Sequence, residues 1–170
     1  HSSTKKDIKA ALMKNTQLLN FTQLSKQELE MTHNWRNTKS VQKFMLNPLD
    51  ISLKSHLDFV SSLNNRDDKL YFLVKYENNY IGVIDFTQIK GKGCMLGLYK
   101  NPQTHNVGDI LLNIISEYAF DTLKLAIIGA EVFSDNTQAI MLYKRHSFQE
   151  KSRKNLETRE LIYMELKNED

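Results

Sequence analysis

Residues 136–148 read Asn-Thr-Gln-Ala-Ile-Met-Leu-Tyr-Lys-Arg-His-Ser-Phe. The spacing of Ala139 and Leu142 indicates a helix, which we place from Thr137 to His146. Packing of that helix would explain Ala139, Leu142 and Phe148. It does not explain an asparagine at the helix start together with Tyr143 seven residues later. This stretch therefore predicts a functional element as well as a helix.

A second informative segment lies about thirty residues upstream, where residues 96–111 read Leu-Gly-Leu-Tyr-Lys-Asn-Pro-Gln-Thr-His-Asn-Val-Gly-Asp-Ile-Leu. The pattern predicts a strand, a short loop and then a helix. The free N–H groups of such a helix start, together with the positive end of its dipole, form a site for an anion. A single glycine is weak support, so an ordinary strand-loop-helix connection stays the alternative at this point.

The segments around these two predict a mixed α/β chain. Turn formers at 77–79 and 91–93 separate three antiparallel strands, which are followed by a helix, a strand, the helix already described and a last strand. The predicted bounds are Leu70–Tyr76, Tyr80–Ile89, Cys94–Tyr99, Asp109–Leu123, Ala126–Phe133 and Glu160–Leu166. A doubly wound dinucleotide fold would alternate strand and helix throughout, so this order excludes it.

The N-terminal part predicts one short strand and two helices. The strand covers Leu18–Phe21, and Ser25 with Glu28 forms a capping box that starts a helix reaching about Asn37. One or two helical turns at 41–46 end near a proline. Ser52 then caps an amphipathic helix whose predicted apolar stripe is Leu53, Leu57, Val60 and Leu63.

Length and composition favour one ordinary globular domain, since the chain has 170 residues, of which 41% are hydrophobic and 25% charged. We assign this domain to residues 13–170 and treat residues 1–12 as a vector-derived or disordered extension. No apolar run approaches the roughly 18 residues needed to cross a bilayer. The single cysteine, Cys94, can form neither an internal disulfide nor a zinc cluster. We therefore expect a cytoplasmic protein with no membrane partner.

The positive net charge does not predict a nucleic-acid partner. The chain has 23 basic and 20 acidic residues. Residues 1–14, with four lysines and one aspartate, carry the whole excess, and the rest of the chain is neutral. Phosphate binding requires basic side chains clustered on one face, and no such cluster is seen.

Residues 136–148 resemble the Asn-x-x-Ala-x-x-Leu-Tyr-x-x-x-Gly-Phe pattern of the GNAT superfamily of N-acyltransferases, with Ser147 in place of the glycine. The resemblance covers residues 18–166. It implies an α/β (α+β) fold with a mixed, mostly antiparallel central sheet flanked by helices, whose strands splay apart at an acyl-CoA cleft. It also implies acetyl-CoA as cosubstrate and no metal.

Residues 105–110 resemble the pyrophosphate loop of that superfamily, with His105 at its basic position and Gly108 at its first glycine. Two residues depart from the pattern. Asn106 stands where glycine is common, although asparagine tolerates left-handed backbone, and Ile110 replaces a small residue. Asp109 is interpreted as a partner of the helix dipole. The implied cofactor contacts are Leu98, Tyr99, Lys100, His105, Asn106, Val107, Gly108, Asp109, Ile110, Leu111, Asn136, Ala139 and Tyr143.

Four further stretches resemble the UDP-amino-sugar N-acetyltransferases of pseudaminic acid biosynthesis. They are Trp35–Asn37, Phe44–Met45, Ile51–Phe59 and Leu98–Pro102. That family acetylates the 4-amino group of UDP-4-amino-4,6-dideoxy-N-acetyl-β-L-altrosamine, a step toward the sugar that decorates bacterial flagellin. The implied partner is thus a nucleotide-sugar substrate, and a homodimer is possible.

Acetyl transfer to an amine needs an acid and a base. Tyr143 is our candidate acid, since a phenol titrates near 10 and a leaving thiolate near 8.5. An alkylamine is protonated at neutral pH, so a base must take a proton directly or through water. Glu131 is the first candidate, because the resembling enzymes have a glutamate there. Asp85, within an apolar strand, is the alternative.

The implied acceptor site combines one cation with polar and apolar contacts. Arg36 would pair with the UDP diphosphate. His56 and Thr87 would hydrogen-bond to the nucleotide or sugar, while Met45, Phe59 and Tyr99 would line a niche for the deoxy methyl group.

Two other functions stay open on sequence grounds. An N-terminal α-amine acetyltransferase would need an open acidic groove, which Arg36 and His56 do not favour. A non-catalytic CoA-binding module of the same fold would be expected to lack the tyrosine, and Tyr143 is present.

Overall fold

The computed structural model describes residues 14–169, which build one seven-stranded sheet. The strands are β1 Thr16–Asn20, β2 Leu70–Tyr76, β3 Asn79–Lys90, β4 Gly93–Lys100, β5 Ile127–Phe133, β6 Gln149–Leu156 and β7 Arg159–Lys167. They stand in the order β1-β2-β3-β4-β5-β7-β6. Every neighbouring pair is antiparallel except β4 and β5, which run parallel. The extension assigned to residues 1–12 lies outside the described residues.

Within residues 14–169, five α-helices connect or flank the strands. They are α1 Lys26–Arg36, α2 Lys39–Gln42, α3 Leu53–Ser62, α4 Gly108–Glu117 and α5 Thr137–Arg145. Ser25 and Glu28 form the predicted capping box of α1, and the Ser52 hydroxyl accepts from the Ser55 N–H to cap α3. A π-helical turn, Tyr118–Thr122, extends α4.

The sheet separates two apolar cores, because successive strand residues face opposite sides. On one side, Phe72 and Val74 of β2 belong to a large cluster with α4 and α5. On the other side, Leu73 packs with Trp35 of α1 and Val60 of α3. Helices therefore cover both faces, and the predicted fold class is confirmed.

The junction of β4 and β5 positions the site. These strands pair only through Gly93 with Ile127, Cys94 with Ile128 and Met95 with Gly129. Beyond Met95 and Gly129 no pairing is seen between them, although β4 continues to Lys100 and β5 to Phe133. The two strands diverge there, and we call the opening the splay gap. The splay implied by the sequence resemblance is thus present.

Three expectations about elements differ from the structure. Strand β6 was missed because all but the last of its residues are exposed, so no alternating pattern marks it. The apolar stripe of α3 was half wrong, since Leu53 and Leu57 are 36% and 37% exposed. His56 and Val60 are buried there instead. The helical turns placed at 41–46 are also shorter and earlier, forming α2.

Within residues 14–169, no helix combines the length and apolar character needed to span a membrane.

Candidate active site

Asp85 of β3 lies at the floor of the splay gap. It is paired in the sheet with Gly97 of β4. A Cβ atom on Gly97 would overlap the carboxylate, lying 2.6 Å from its Oδ1 and 2.7 Å from its Cγ. The Asp85 side chain therefore lies flat on β4, in space that only glycine leaves free. Burial raises the pKa of Asp85 to about 7, opposed by the positive charge of Lys69.

Three phenols surround this carboxylate. Burial raises the pKa of Tyr71, Tyr99 and Tyr143, and the charge of Asp85 raises each further. Burial also raises the pKa of the Cys94 thiol to about 11, with a smaller effect from Asp85. These groups therefore share one electrostatic environment, in which the phenols and the thiol stay protonated at neutral pH.

Tyr143 reaches this environment from α5, on the opposite face of the sheet. The Asn136 side chain caps that helix by accepting from the Ala139 N–H at 3.3 Å. The ring of Tyr143 packs against Phe148 with centroids 5.3 Å apart, and the residue is only 7% exposed. Among the described residues nothing hydrogen-bonds to its hydroxyl, which still touches solvent. The phenol is thus fixed by its ring, and its O–H is free to bind a ligand.

The predicted anion site at the start of α4 has suitable backbone. Asn106 adopts a left-handed conformation with φ 59°, as its residue type allows. No side chain caps α4, so the first N–H groups of the helix stay open. The added Cβ of Gly108 would lie 3.2 Å from Leu142 of α5, so the glycine permits close approach of the two helices. The Ile110 side chain packs against the large core, and His105 is exposed.

Asp109 is more than a partner of the helix dipole. Its carboxylate lies 2.7 Å from Nε2 of His146 and 3.2 Å from Nη2 of Arg145. These contacts, the one with His146 first, lower the pKa of Asp109. They join the anion loop to the end of α5, a link that the sequence analysis missed.

The outer edge of β4 faces the splay gap. Leu98, Tyr99 and Lys100 pair with β3 on one side and have no strand partner on the other. An extended ligand would find an open strand edge there. The contact between Asp109 and His146 holds the start of α4 against α5, whose Tyr143 lies close enough for the charge of Asp85 to raise its pKa.

Arg36 lies at the end of α1 and is 8% exposed. Its Nη2 donates to the Asn47 carbonyl at 2.5 Å, while Nη1 is the one buried side-chain nitrogen or oxygen of residues 14–169 without a partner. Burial lowers the pKa of Arg36, and the nearby Tyr99 and Asp50 oppose that shift. A buried guanidinium with an unused donor favours an anionic ligand.

The other predicted acceptor residues have mixed positions. His56 is buried between α1 and α3, with Nε2 3.2 Å from the Thr32 hydroxyl. Burial, then the neighbouring His33, lowers its pKa to about 4, so it is neutral. Phe59 packs edge-on against Tyr71, with centroids 4.9 Å apart. Met45 and Thr87 are partly exposed, in the loop after α2 and on β3. Contacts of these residues with an acceptor stay predictions.

Glu131 lies on the other bank of the splay gap. Met95 of β4 and Gly129 of β5 are paired and therefore lie on the same face of the sheet. Two residues further along, Gly97 and Glu131 lie on that face as well. Asp85 is paired with Gly97, so Asp85 and Glu131 share one face. Glu131 is exposed and pairs with Tyr163, whose hydroxyl donates to Glu165. The structure brings Asp85, Tyr99 and Tyr143 together. It leaves Glu131 facing water.

No group of three or more metal-binding side chains occurs within the described part of the chain. Sequence reasoning missed Gly97 and Tyr71, which shape the surroundings of Asp85. Only the strand register reveals them, since neither belongs to a motif.

Comparison with known proteins agrees with this geometry. The acetyltransferase (GNAT) domain family matches residues 22–160. Acetyltransferase PseH of Campylobacter jejuni subsp. jejuni serotype O:23/36 (strain 81-176) is 43% identical over 131 residues, covering 77% of this chain and 83% of that protein.

Solved structures are also similar. The crystal structure of Campylobacter jejuni N-acetyltransferase PseH in complex with acetyl coenzyme A has a TM-score of 0.72 at 37% identity, covering 89% of this chain and 98% of the other. Spermidine N-acetyltransferase from Vibrio cholerae in complex with CoA and spermine has a TM-score of 0.79 at 19% identity, covering 91% and 96%. The second likeness concerns the fold alone. The chain belongs to the GNAT acetyltransferase family and is an N-acetyltransferase related to PseH.

Proposed function

We propose that this protein transfers the acetyl group of acetyl-CoA to the 4-amino group of UDP-4-amino-4,6-dideoxy-N-acetyl-β-L-altrosamine. The product leads to pseudaminic acid and to flagellin glycosylation. The observation that carries the proposal is the splay gap, in which a protonated phenol and a carboxylate meet beside an open strand edge and an open helix start. The relative at 43% identity supports the nucleotide-sugar acceptor.

The residues of the gap fit acetyl-CoA, which supplies the acetyl thioester. The N–H groups at 107–110 would hold its diphosphate, because no side chain caps them. The free edge at Leu98–Lys100 would pair with the amide-containing arm. A backbone N–H near Tyr99 would stabilise negative charge on the carbonyl oxygen.

Tyr143 would serve the leaving sulfur. Its hydroxyl is protonated at every assay pH, since burial and Asp85 raise its pKa. With ordinary pKa values, complete proton transfer from a phenol to a thiolate is about 2 kcal/mol uphill. The raised pKa of Tyr143 makes this transfer less favourable still. Tyr143 would therefore stabilise the departing thiolate by a strong hydrogen bond and complete the proton transfer as the thiol leaves.

Arg36 would bind the acceptor's diphosphate through Nη1, which has no partner in the protein. The Nη2 bond to Asn47 would keep the guanidinium in place. Met45, Phe59 and Tyr99 would contact the deoxy methyl group, and Thr87 and His56 would contribute polar contacts. Glu131 or Asp85 would remove the proton from the amine.

A cytoplasmic location and a homodimer remain predictions from the sequence.

A thiol-release assay tests the proposal. The protein is incubated with acetyl-CoA and one candidate acceptor at a time. The acceptors are the UDP-4-amino-sugar, a peptide with a free N-terminus, spermine, and UDP-N-acetylglucosamine, which has no free amine. We expect thiol release with the UDP-4-amino-sugar at least 100-fold faster than with the other compounds. Faster turnover of the peptide or spermine would refute the acceptor assignment while leaving acetyl transfer intact.

A further inference from the structure

The strand register leaves two carboxylates on the same face of the splay gap, and their surroundings differ. Asp85 lies on the floor against Gly97, whereas Glu131 projects into water from the opposite bank. A proton acceptor for a bound amine must lie within hydrogen-bond reach of the amine, directly or through one water, and burial makes a carboxylate more basic. This difference separates the two candidates.

The Asp85 carboxylate has no partner within the described residues. No donor among residues 14–169 hydrogen-bonds to it, and the residue as a whole is only partly exposed. Tyr71, Tyr99 and Tyr143 surround it but do not donate to it, and Lys69 is the one cation of the described residues that lowers its pKa. Structural carboxylates deep in a protein are normally hydrogen-bonded or ion-paired. Asp85 therefore has the free hydrogen-bonding capacity of a group that binds a ligand.

Gly97 makes this placement possible. Any larger residue would put its Cβ within 2.7 Å of the carboxylate carbon. The backbone of Gly97 is not left-handed, so conformation does not require glycine there. Glycine is required there because a larger residue would occupy the space of the Asp85 side chain.

We propose that Asp85 is the catalytic residue that accepts the proton of the acceptor amine, and that Gly97 is a positioning residue that holds the carboxylate at the floor of the gap. This assignment rests on the proposed function. Its basicity is suitable, because burial raises the pKa of Asp85 to about 7. Glu131 is then left to contact the acceptor from the other bank.

The proton and bond changes balance. Asp85 accepts one proton from the acceptor ammonium, which gives a neutral amine. The C–N bond forms as the C–S bond breaks, and the second nitrogen-bound proton replaces the one that Tyr143 gives to sulfur. The products are an amide, a thiol and protonated Asp85, which returns its proton to solvent.

The test compares pH profiles of kcat/KM between pH 5 and 9. The wild type should lose activity as pH falls through about 7. Asp85→Asn should lower the rate at least 100-fold and remove that acid limb, while Glu131→Gln should keep the limb, whatever its effect on kcat. Circular dichroism melting confirms that each variant is folded.

Gly97→Ala tests positioning. It should lower kcat at least 10-fold and displace the acid limb, and it should have no further effect when added to Asp85→Ala. An additional loss in that background would show that Gly97 acts in some other way.

The possible outcomes distinguish a wrong role for Asp85 from a wrong choice of acceptor. If the wild type acetylates a different amine in the screen, the profiles are measured with that amine, and Asp85 is judged independently of the sugar. If Glu131→Gln removes the limb and Asp85→Asn keeps it, the assignment is overturned. If the wild type acetylates no amine, both proposals are wrong.

Discussion

The carboxylate of Asp109, in the first turn of α4, lies 2.7 Å from Nε2 of His146, the residue that follows α5. This contact joins two segments that are far apart in sequence. Arg145 adds a second contact to the same carboxylate at 3.2 Å. The start of α4 is thus held against the helix that carries Tyr143.

We expect Asp109→Asn to lower the free energy of unfolding by about 0.5–1 kcal/mol at pH 7, the usual range for exposed pairs and helix-end charges. The contacts lower the pKa of Asp109, so its contribution is present above the ordinary aspartate value and is lost as pH falls through the lowered one. Urea titrations at pH 7 and pH 3 should show a larger difference at pH 7 than at pH 3. Asp121→Asn, an exposed aspartate just beyond α4, is the control, and equal losses at both pH values would contradict the prediction.

Tyr143→Phe should lower kcat on the order of 100-fold, because it removes the donor to the leaving sulfur. The KM for acetyl-CoA should change less than about twofold, since the ring packing against Phe148 is kept. Thiol release at saturating substrates measures the effect. Tyr118→Phe, which alters a half-buried phenol in the same core, should keep full activity. Unchanged turnover in Tyr143→Phe would exclude the acid role.

Arg36→Ala should raise the acceptor KM by about 10-fold to 100-fold, the loss expected for one hydrogen bond to a charged group. The KM for acetyl-CoA should stay the same, because Arg36 lies at the end of α1 and bonds to Asn47 rather than to the loop before α4. Lys39→Ala removes an exposed cation from the adjacent α2 and serves as the matched control. The reverse pattern, with acetyl-CoA affected and the acceptor not, would show that the two sites are assigned the wrong way round.

Asp85→Asn should stabilise the protein more at pH 8 than at pH 5. Burial raises the pKa of Asp85 to about 7, so the folded chain holds a proton that the unfolded chain releases, and stability falls as pH rises from about 4 through 7. Asparagine does not ionise and avoids this loss. The gain should be roughly 2 kcal/mol larger at pH 8 than at pH 5, measured by chemical denaturation. A gain that does not depend on pH would mean that the carboxyl titrates normally.

Ser147→Gly should raise the free energy of unfolding by about 0.5–1 kcal/mol. Ser147 has φ 70°, a left-handed conformation that costs a non-glycine residue about 1–2 kcal/mol, part of which glycine loses again through chain entropy. Thermal melting compares it with Ser152→Gly on exposed β6, which should be destabilising. A lower melting temperature in Ser147→Gly would refute the strain argument.

Much of the fold was predictable because its turns and helix caps are encoded by residues that are close together in sequence. Turn formers at 77–79 and 91–93 limit the meander, and Ser25 and Ser52 cap helices as expected. Strand β6 was not predictable, since an exposed edge strand needs no apolar residues. The wrong stripe on α3 has a related cause. His56 is buried because Thr32 and the rings of Phe21 and His33 surround it, and these neighbours come from other elements.

The candidate site was predictable only where a motif carries it. Tyr143, Asn136 and the loop before α4 belong to such motifs. The close fit of Asp85 against Gly97, and the unused nitrogen of Arg36, result from strand register and helix packing, which no local spacing reveals. Sequence analysis identified Asp85 and Arg36 as candidates but could not show which residues from other elements surround them.

Since β4 and β5 share only three residue pairs, the sheet has two open strand edges at its centre as well as at its rims. Under the proposed function, a bound acetyl-CoA would bridge these inner edges and would be consumed at every turnover. Residues 16–100 and 127–167 would then be joined most firmly while the cosubstrate is present. The cellular supply of acetyl-CoA would thus influence the lifetime of the enzyme as well as its rate.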